Sequence, residues 1–276
     1  MRSAVLFLLP AICLTLGAAS RTEQRSLPLP SGGAIQVVTH NSPIRVEGWD
    51  KDEVAVTADI EDSAARPVRW EMRALDGGVR VEAIFPETHE WHMGRGPSCA
   101  FRLKVPRKVI GAFTTSNDTI TANGFGGTLS FRTSNDKLDL SNLDGAVTAT
   151  TTNASIVARH LHASLKGSTS NDELRLEDVE GGVDLSTSNA DVVAKGLDGW
   201  GQGISLRTSN GDMTVDLGRA TGEVHAITSR HESVKVEHRQ VDLLESGGSE
   251  LRFRIPGSAQ PQAIELATTN GSLTIR

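Results

Sequence analysis

The chain has 276 residues, with 28 lysines and arginines against 34 aspartates and glutamates, a net charge of −6, and no tyrosine. That balance excludes an extended cationic surface for nucleic acid. A hydrophobic share of 38% suffices for a core and excludes a disordered tail protein, and past the leader no segment approaches the ~18 apolar residues that span a bilayer.

Residues 1–20 read as an export signal. Arg2 supplies the positive start, Ala4 to Leu16 an apolar stretch broken by Pro10, and Gly17-Ala18-Ala19-Ser20 a run of small residues. Cleavage is expected after Ala19 or Ser20, giving a periplasmic, extracellular or surface-associated protein. Ile12 stands where a lipoprotein signal wants a small residue, so Cys13 is not read as a lipidation site. Loss of the leader leaves Cys99 alone, so no internal disulfide forms. Cys99 itself is expected as a half-buried thiol opening a strand.

From residue 27 to 110, six segments alternate apolar and polar residues: Ala34 to Val38, Ile44 to Glu47, Val54 to Ile60, Val68 to Arg73, Val79 to Ile84 and Phe101 to Val105. They predict a small antiparallel β cap, which would cover the first strand edge of whatever follows. Between the last two lies a polar loop from Thr88 to Cys99. Its His89, Glu90, His92 and Cys99 are all possible metal ligands, but His89-x-x-His92 fits neither a regular strand nor a zincin helix. A surface loop without zinc is expected.

From residue 111 to 276 the chain is a repeat. Thr-Ser-Asn or a near copy places Asn117, Asn135, Asn153, Asn171 and Asn189 at a constant spacing of 18, followed by Asn210, the degenerate Thr228-Ser229-Arg230, and Asn270. Counting from each asparagine, offsets three and five are apolar or alanine (Ile120 and Ala122, Leu138 and Leu140, Leu174 and Leu176), as are offsets eight and twelve (Leu143 and Val147, Leu161 and Leu165). Each unit therefore predicts two short strands. A unit this small cannot bury its own apolar face, so neighbours must stack, which makes the fold an all-β solenoid. Left-handed hexapeptide helices share the 18-residue turn, but Leu138 is followed six residues later by Asp144, so the hexad is absent. The usual hand of parallel crossovers then favours a right-handed coil.

Asparagine at offset zero suits a turn, since it tolerates φ > 0 and its amide can bond both neighbours. Asn117, Asn135, Asn153, Asn171, Asn189, Asn210 and Asn270 are therefore expected to form a structural turn ladder, with Asn153 mostly buried. An acidic calcium stack at the next position is interrupted by Ala154 and Ala190, so no metal is expected. At the far end, Leu273 to Ile275 is expected as the last strand, with the irregular segment from Glu237 to Gln262 folding back over it, the alternative being that this end docks a partner.

The stretch His40-Asn41-Ser42-Pro43-Ile44-Arg45-Val46-Glu47-Gly48-Trp49, then Leu103-Lys104-Val105-Pro106 leading into the Thr-Ser-Asn repeats, resembles the bacterial adhesin-type domain of unknown function 4097. The resemblance runs from about Ile35 to Arg276. It implies an extracytoplasmic β-solenoid with no catalytic motif and a loose tie to the cell envelope. The residues agree with a non-enzymatic reading. Outward positions such as Arg132, Asp139, Arg159, Arg175, Asp184 and Lys195 mix charges without a carboxylate pair in a cleft, and His160 and His162 read as solvent-facing variation. The expectation is thus a monomeric envelope scaffold without cofactor, whose partner is an envelope protein or a glycan. The competing reading is a glycan-binding or polysaccharide-degrading β-helix.

Overall fold

The computed structural model describes residues 19–62, 67–86, 96–200, 202–229, 233–237, 240–247, 249–257 and 262–276. All of the assigned elements there are strands. The first eight are β1 (Ala19–Pro28), β2 (Ala34–Val38), β3 (Ile44–Trp49), β4 (Glu53–Asp62), β5 (Arg69–Leu75), β6 (Gly78–Ile84), β7 (Ser98–Pro106) and β8 (Lys108–Thr114). The repeats give β9 (Ile120–Arg132), β10 (Leu138–Thr150), β11 (Ile156–Ser168), β12 (Leu174–Glu180), β13 (Val183–Ser186), β14 (Val192–Asp198), β15 (Ile204–Thr208) and β16 (Met213–Val215). The chain finishes with β17 (Gly222–Ile227), β18 (Val234–Val236), β19 (Asp242–Gly247), β20 (Glu250–Ile255), β21 (Gln262–Thr268) and β22 (Leu273–Ile275).

The repeats stack in parallel and in register. Leu138 lies opposite Ile120 on one side and Ile156 on the other, so equal offsets sit above one another at a step of 18 residues. Alternation decides which side chains turn inward. Along β9, Ile120, Ala122, Phe125, Leu129 and Phe131 are all at most 1% exposed, and they join one continuous apolar cluster. In the first three units the two expected strands are one bent strand. The bend falls at offset seven, where Gly124, Asn142, His160, Asp178 and Gly196 all have positive φ, from 51° to 75°. The offset-zero asparagines of the repeats are not the left-handed residues the sequence suggested. A corner at offset seven interrupts the pairing there, and the same register resumes beyond it, so the sheet is creased into two halves whose inner faces share the core.

Both ends of the stack depart from chain order. β2 pairs in parallel with both β6 and β8, and β3 with both β7 and β9. Residues 34–49 thus form an inner layer, with β6 and β7 outside it. The expected antiparallel arrangement holds only at the margin, where β5 pairs with β6, β4 with β7, and β1 with β4. At the other end, β21 lies between β15 and β17, and β22 between β16 and β18. The expectation that Leu273 to Ile275 would be the last strand of the stack, covered by the segment from Glu237 to Gln262, is therefore overturned. The final fifteen residues fill a layer that the chain left open when it went on to β17 and β18, and the segment after Glu237 instead supplies the antiparallel hairpin β19–β20 beyond β17.

Polar side chains fasten the N-terminal margin. Arg21 donates to Asp62 at 2.7 Å and to the Val68 carbonyl at 2.7 Å, the Val68 amide donates to Asp62 at 2.8 Å, and the Trp70 indole donates to Glu23 at 2.8 Å. The Arg21 guanidinium holds the Asp62 carboxyl below its ordinary value, and the Trp70 indole does the same for Glu23. A carboxylate with a lowered folded-state pKa stabilises at pH above its unfolded value, about 4, and that contribution disappears as pH falls through the folded value. Amide exchange across β1, corrected for intrinsic rates, should therefore be unchanged between pH 7 and 5 and accelerate selectively below about pH 4. Uniform loss of protection across all strands would contradict this.

Cys99 is fully buried rather than half-buried, and burial pushes its thiol up to about 12. It is a packing residue, inert as a nucleophile at neutral pH. The His89-x-x-His92 motif lies outside the described residues.

Candidate functional site

The seven predicted asparagines stand in one line down the stack. Asn135 donates to Asn117, Asn153 to Asn135 at 2.7 Å, Asn171 to Asn153 at 2.7 Å, Asn189 to Asn171 at 2.9 Å, Asn210 to Asn189 at 2.8 Å and Asn270 to Asn210 at 2.7 Å. Asn41 begins the line by accepting from Asn117. Asn270 thus sits directly on Asn210 although 60 residues separate them. Asn153 is exposed, not buried. The turn lifts offset zero out of the core, so each amide completes its ladder in contact with water.

The buried polar line lies two residues earlier and was not recognised in the sequence, although the Thr of every Thr-Ser-Asn marks it. Thr115, Thr133, Thr151, Thr169, Thr187, Thr208 and Thr268 are 2% to 5% exposed. Thr169 donates its hydroxyl to the Ala154 carbonyl at 2.8 Å, Thr208 to Ala190 at 2.9 Å and Thr268 to Gly211 at 2.9 Å. Each acceptor directly follows the ladder asparagine of the preceding layer. Threonine suits this place because its methyl packs in the core while its hydroxyl satisfies a turn carbonyl. Thr151 is the exception, since its hydroxyl is buried with no partner.

These two lines make a graded prediction. Thr169→Val strands the Ala154 carbonyl and should cost about 1–3 kcal/mol. Asn153→Ala should cost no more than about 1 kcal/mol, because water replaces the lost partners. Thr151→Val removes an unpartnered hydroxyl and should be neutral or stabilising. Urea midpoints of the three variants would check the order, and an Asn153→Ala loss exceeding that of Thr169→Val would contradict it.

The two outer faces differ in chemistry. On the first half, the mixed charges form pairs: across strands, Arg159 meets Asp139 at 2.7 Å and Glu177 at 4.0 Å, and within one layer Lys137 meets Asp139 at 2.8 Å. On the second half, the register rows Ala34, Ile110, Thr128, Ala146 and Gln36, Ala112, Ser130, Thr148 carry no charge from β2 to β10, and charge returns beyond them at Arg80 of β6 and Lys166 of β11.

At the crease between the halves, one hollow of about 420 Å³ gathers chemistry-bearing side chains. It is lined by His160, His162, Asp178, Glu180, Gly196, Gly218 and Arg219. Strands β11 and β12 supply the polar residues from adjacent layers, while offset seven becomes Gly196 in the next layer and leaves the space open. His160 Nδ1 lies 3.2 Å from Asp178, and His162 Nδ1 lies 2.9 Å from Glu180. Arg219 pairs with Glu180 and lies 3.7 Å from Asp198. The indole of Trp200 stacks on His162, with centroids 6.1 Å apart and planes 25° apart. Trp200 is 51% exposed. His160 and His162 are thus members of a cluster and not isolated surface variation. The sequence hides this because His162, Glu180 and Asp198 share an offset that reads as solvated until the corner makes it concave. No group of three or more His, Cys, Asp or Glu side chains that could hold a metal ion occurs among the described residues.

No protein-family model matches the sequence, and no curated protein does. Similar solved structures include a putative cell adhesion protein from Clostridium sporogenes, at 9% identity over 92% of this chain and 99% of that one, with a TM-score of 0.34. A putative adhesin from Parabacteroides distasonis matches at 11% identity over 93% and 97%, with a TM-score of 0.38. A putative lipid binding protein from the same organism matches at 12% identity over 92% and 96%, with a TM-score of 0.35. The architecture described above stands on the strand register of this chain alone.

Proposed function

We propose that this chain is an exported, non-enzymatic β-solenoid of the adhesin type, acting as an interaction scaffold in the cell envelope. The observation that carries the reading is where the repeat spends its invariant residues. The repeat asparagines, and the repeat threonines other than Thr151, bond layer to layer, and the apolar offsets fill the core, so the repeated chemistry builds a stiff rod and leaves variable residues on long outer faces. The leader-like residues 1–20 and the resemblance to the domain of unknown function 4097 group point the same way, as does the right-handed coil expected of parallel crossovers. Site-specific photo-crosslinkers at Thr128 and Ser130, in the uncharged rows of the second half, test the reading in cells. A discrete crosslinked envelope protein or glycan in the extracytoplasmic fraction is expected. A cytosolic protein without crosslinks would overturn it.

A second reading, a glycan-binding β-helix, is favoured by one observation. The exposed Trp200 ring lies beside the polar hollow at the crease.

A further inference from the structure

We infer that the hollow lined by His160, His162, Asp178, Glu180 and Arg219, with Trp200 at its side, is a binding site for a neutral, hydroxyl-rich saccharide. The inference rests on the glycan-binding reading and gives it a place and a ligand class.

Charge selects the class. The lining and its direct ion-pair partners hold three carboxylates, Asp178, Glu180 and Asp198, against the Arg219 guanidinium and two imidazoles. Whatever the imidazoles carry, the sum is never positive, so a phosphate or a uronate finds no net attraction there. A sugar hydroxyl both donates and accepts, and the hollow offers both partners. The carboxylates accept, and the guanidinium donates. Each imidazole is held through Nδ1 by its carboxylate, which leaves Nε2 for a ligand. The pairs also fix their side chains in advance, which reduces what binding must order. An indole half open to solvent supplies the flat apolar surface that the C–H face of a pyranose requires.

Backbone conformation gives an independent indication. Five non-glycine residues in the described chain have positive φ, and three of them, His160, Asp178 and Trp200, belong to this site, with φ of 52°, 51° and 44°. Other layers place glycine or asparagine at offset seven, where the left-handed bend is inexpensive. Histidine there, and a bulky indole at φ of 44°, oppose that preference, and departures of this kind concentrate at functional sites. Space is the third element. Glycine at 196 and 218 removes the side chains that would otherwise fill the hollow.

The test is an array of neutral oligosaccharides (gluco-, manno-, galacto- and N-acetylglucosamine oligomers) beside uronate-containing ones, probed with the full chain and followed by tryptophan-fluorescence titration of any hit. Binding to at least one neutral series is expected. Trp200→Ala should weaken it about tenfold or more, and Glu180→Gln should weaken it also. The remote Arg102→Ala should leave it unchanged. His160→Gly should lose affinity while raising the thermal midpoint, a combination that a purely structural histidine would not give. Absence of binding to every neutral series, a preference for uronates, or affinity unchanged in Trp200→Ala would overturn the site. Those results would leave the scaffold reading intact, because its crosslinks are sought on a different face.

Discussion

Leu266→Asp is expected to unfold the C-terminal half of the molecule, although the residue lies only ten positions from the end of the chain. Leu266 is 0% exposed and sits in β21, opposite Leu206 of β15 on one side and Ala226 of β17 on the other. A carboxylate there has no partner, and an unpaired buried charge exceeds about 4 kcal/mol, a large part of the stability of a domain. The loss should spread outward, because β17 and β20 reach the rest of the sheet through β21. Leu243→Asp, on the exposed strand β19, should change stability by less than about 0.5 kcal/mol. Denaturant midpoints, with hydrogen exchange across β15 to β20, check the pair. If chain order were stack order, the Leu266 variant would fray one terminal turn only, and protection of β17 would survive.

Gly127→Val is expected to be nearly as damaging. Gly127 has φ of +120°, and an added Cβ would lie 2.0 Å from the Val109 carbonyl oxygen of the adjacent strand. Both the conformation and the space exclude a side chain, and neither can relax without separating β8 from β9. The expected cost is above about 3 kcal/mol, read as a fall in the thermal midpoint. Gly32→Ala serves as a control for φ alone, since it has φ of +84° but open space around it, and should cost about 1 kcal/mol. Equal effects at the two glycines would remove the role assigned to close approach.

Sequence periodicity made the layers legible, because an apolar residue at a fixed offset must meet its equivalents when units stack. The strand pattern of β9 to β16 and the asparagine positions follow from that one rule. What lies outside the period was hidden. Asn270 continues the motif, but spacing cannot say whether it stacks on Asn210 or beyond Ser229, because insertion of a late strand between two earlier ones leaves no periodic trace. The same holds for β2 and β3, whose alternation is as regular as that of an edge strand. Threonine went unread for another reason. It looks like an ordinary turn residue, and its burial depends on how the turn tilts. The hollow was hidden because its residues come from offsets that are solvated in most layers, and only the crease makes them converge.

Both end layers also bear on cooperativity. A simple repeat array adds one unit at a time, but here β3 must meet β9 across 76 residues and β22 must meet β16 across 60. The ends are fastened by long-range pairing, which opposes fraying.

An envelope scaffold should bind without turnover, and reducing-end release tests this most directly. Residues 21–276 would be incubated with a panel of bacterial envelope and plant polysaccharides, including any series the protein binds. No new reducing ends above the protein-free control are expected. Release on any one polysaccharide, lost in Glu180→Gln, would contradict this and assign the hollow to catalysis.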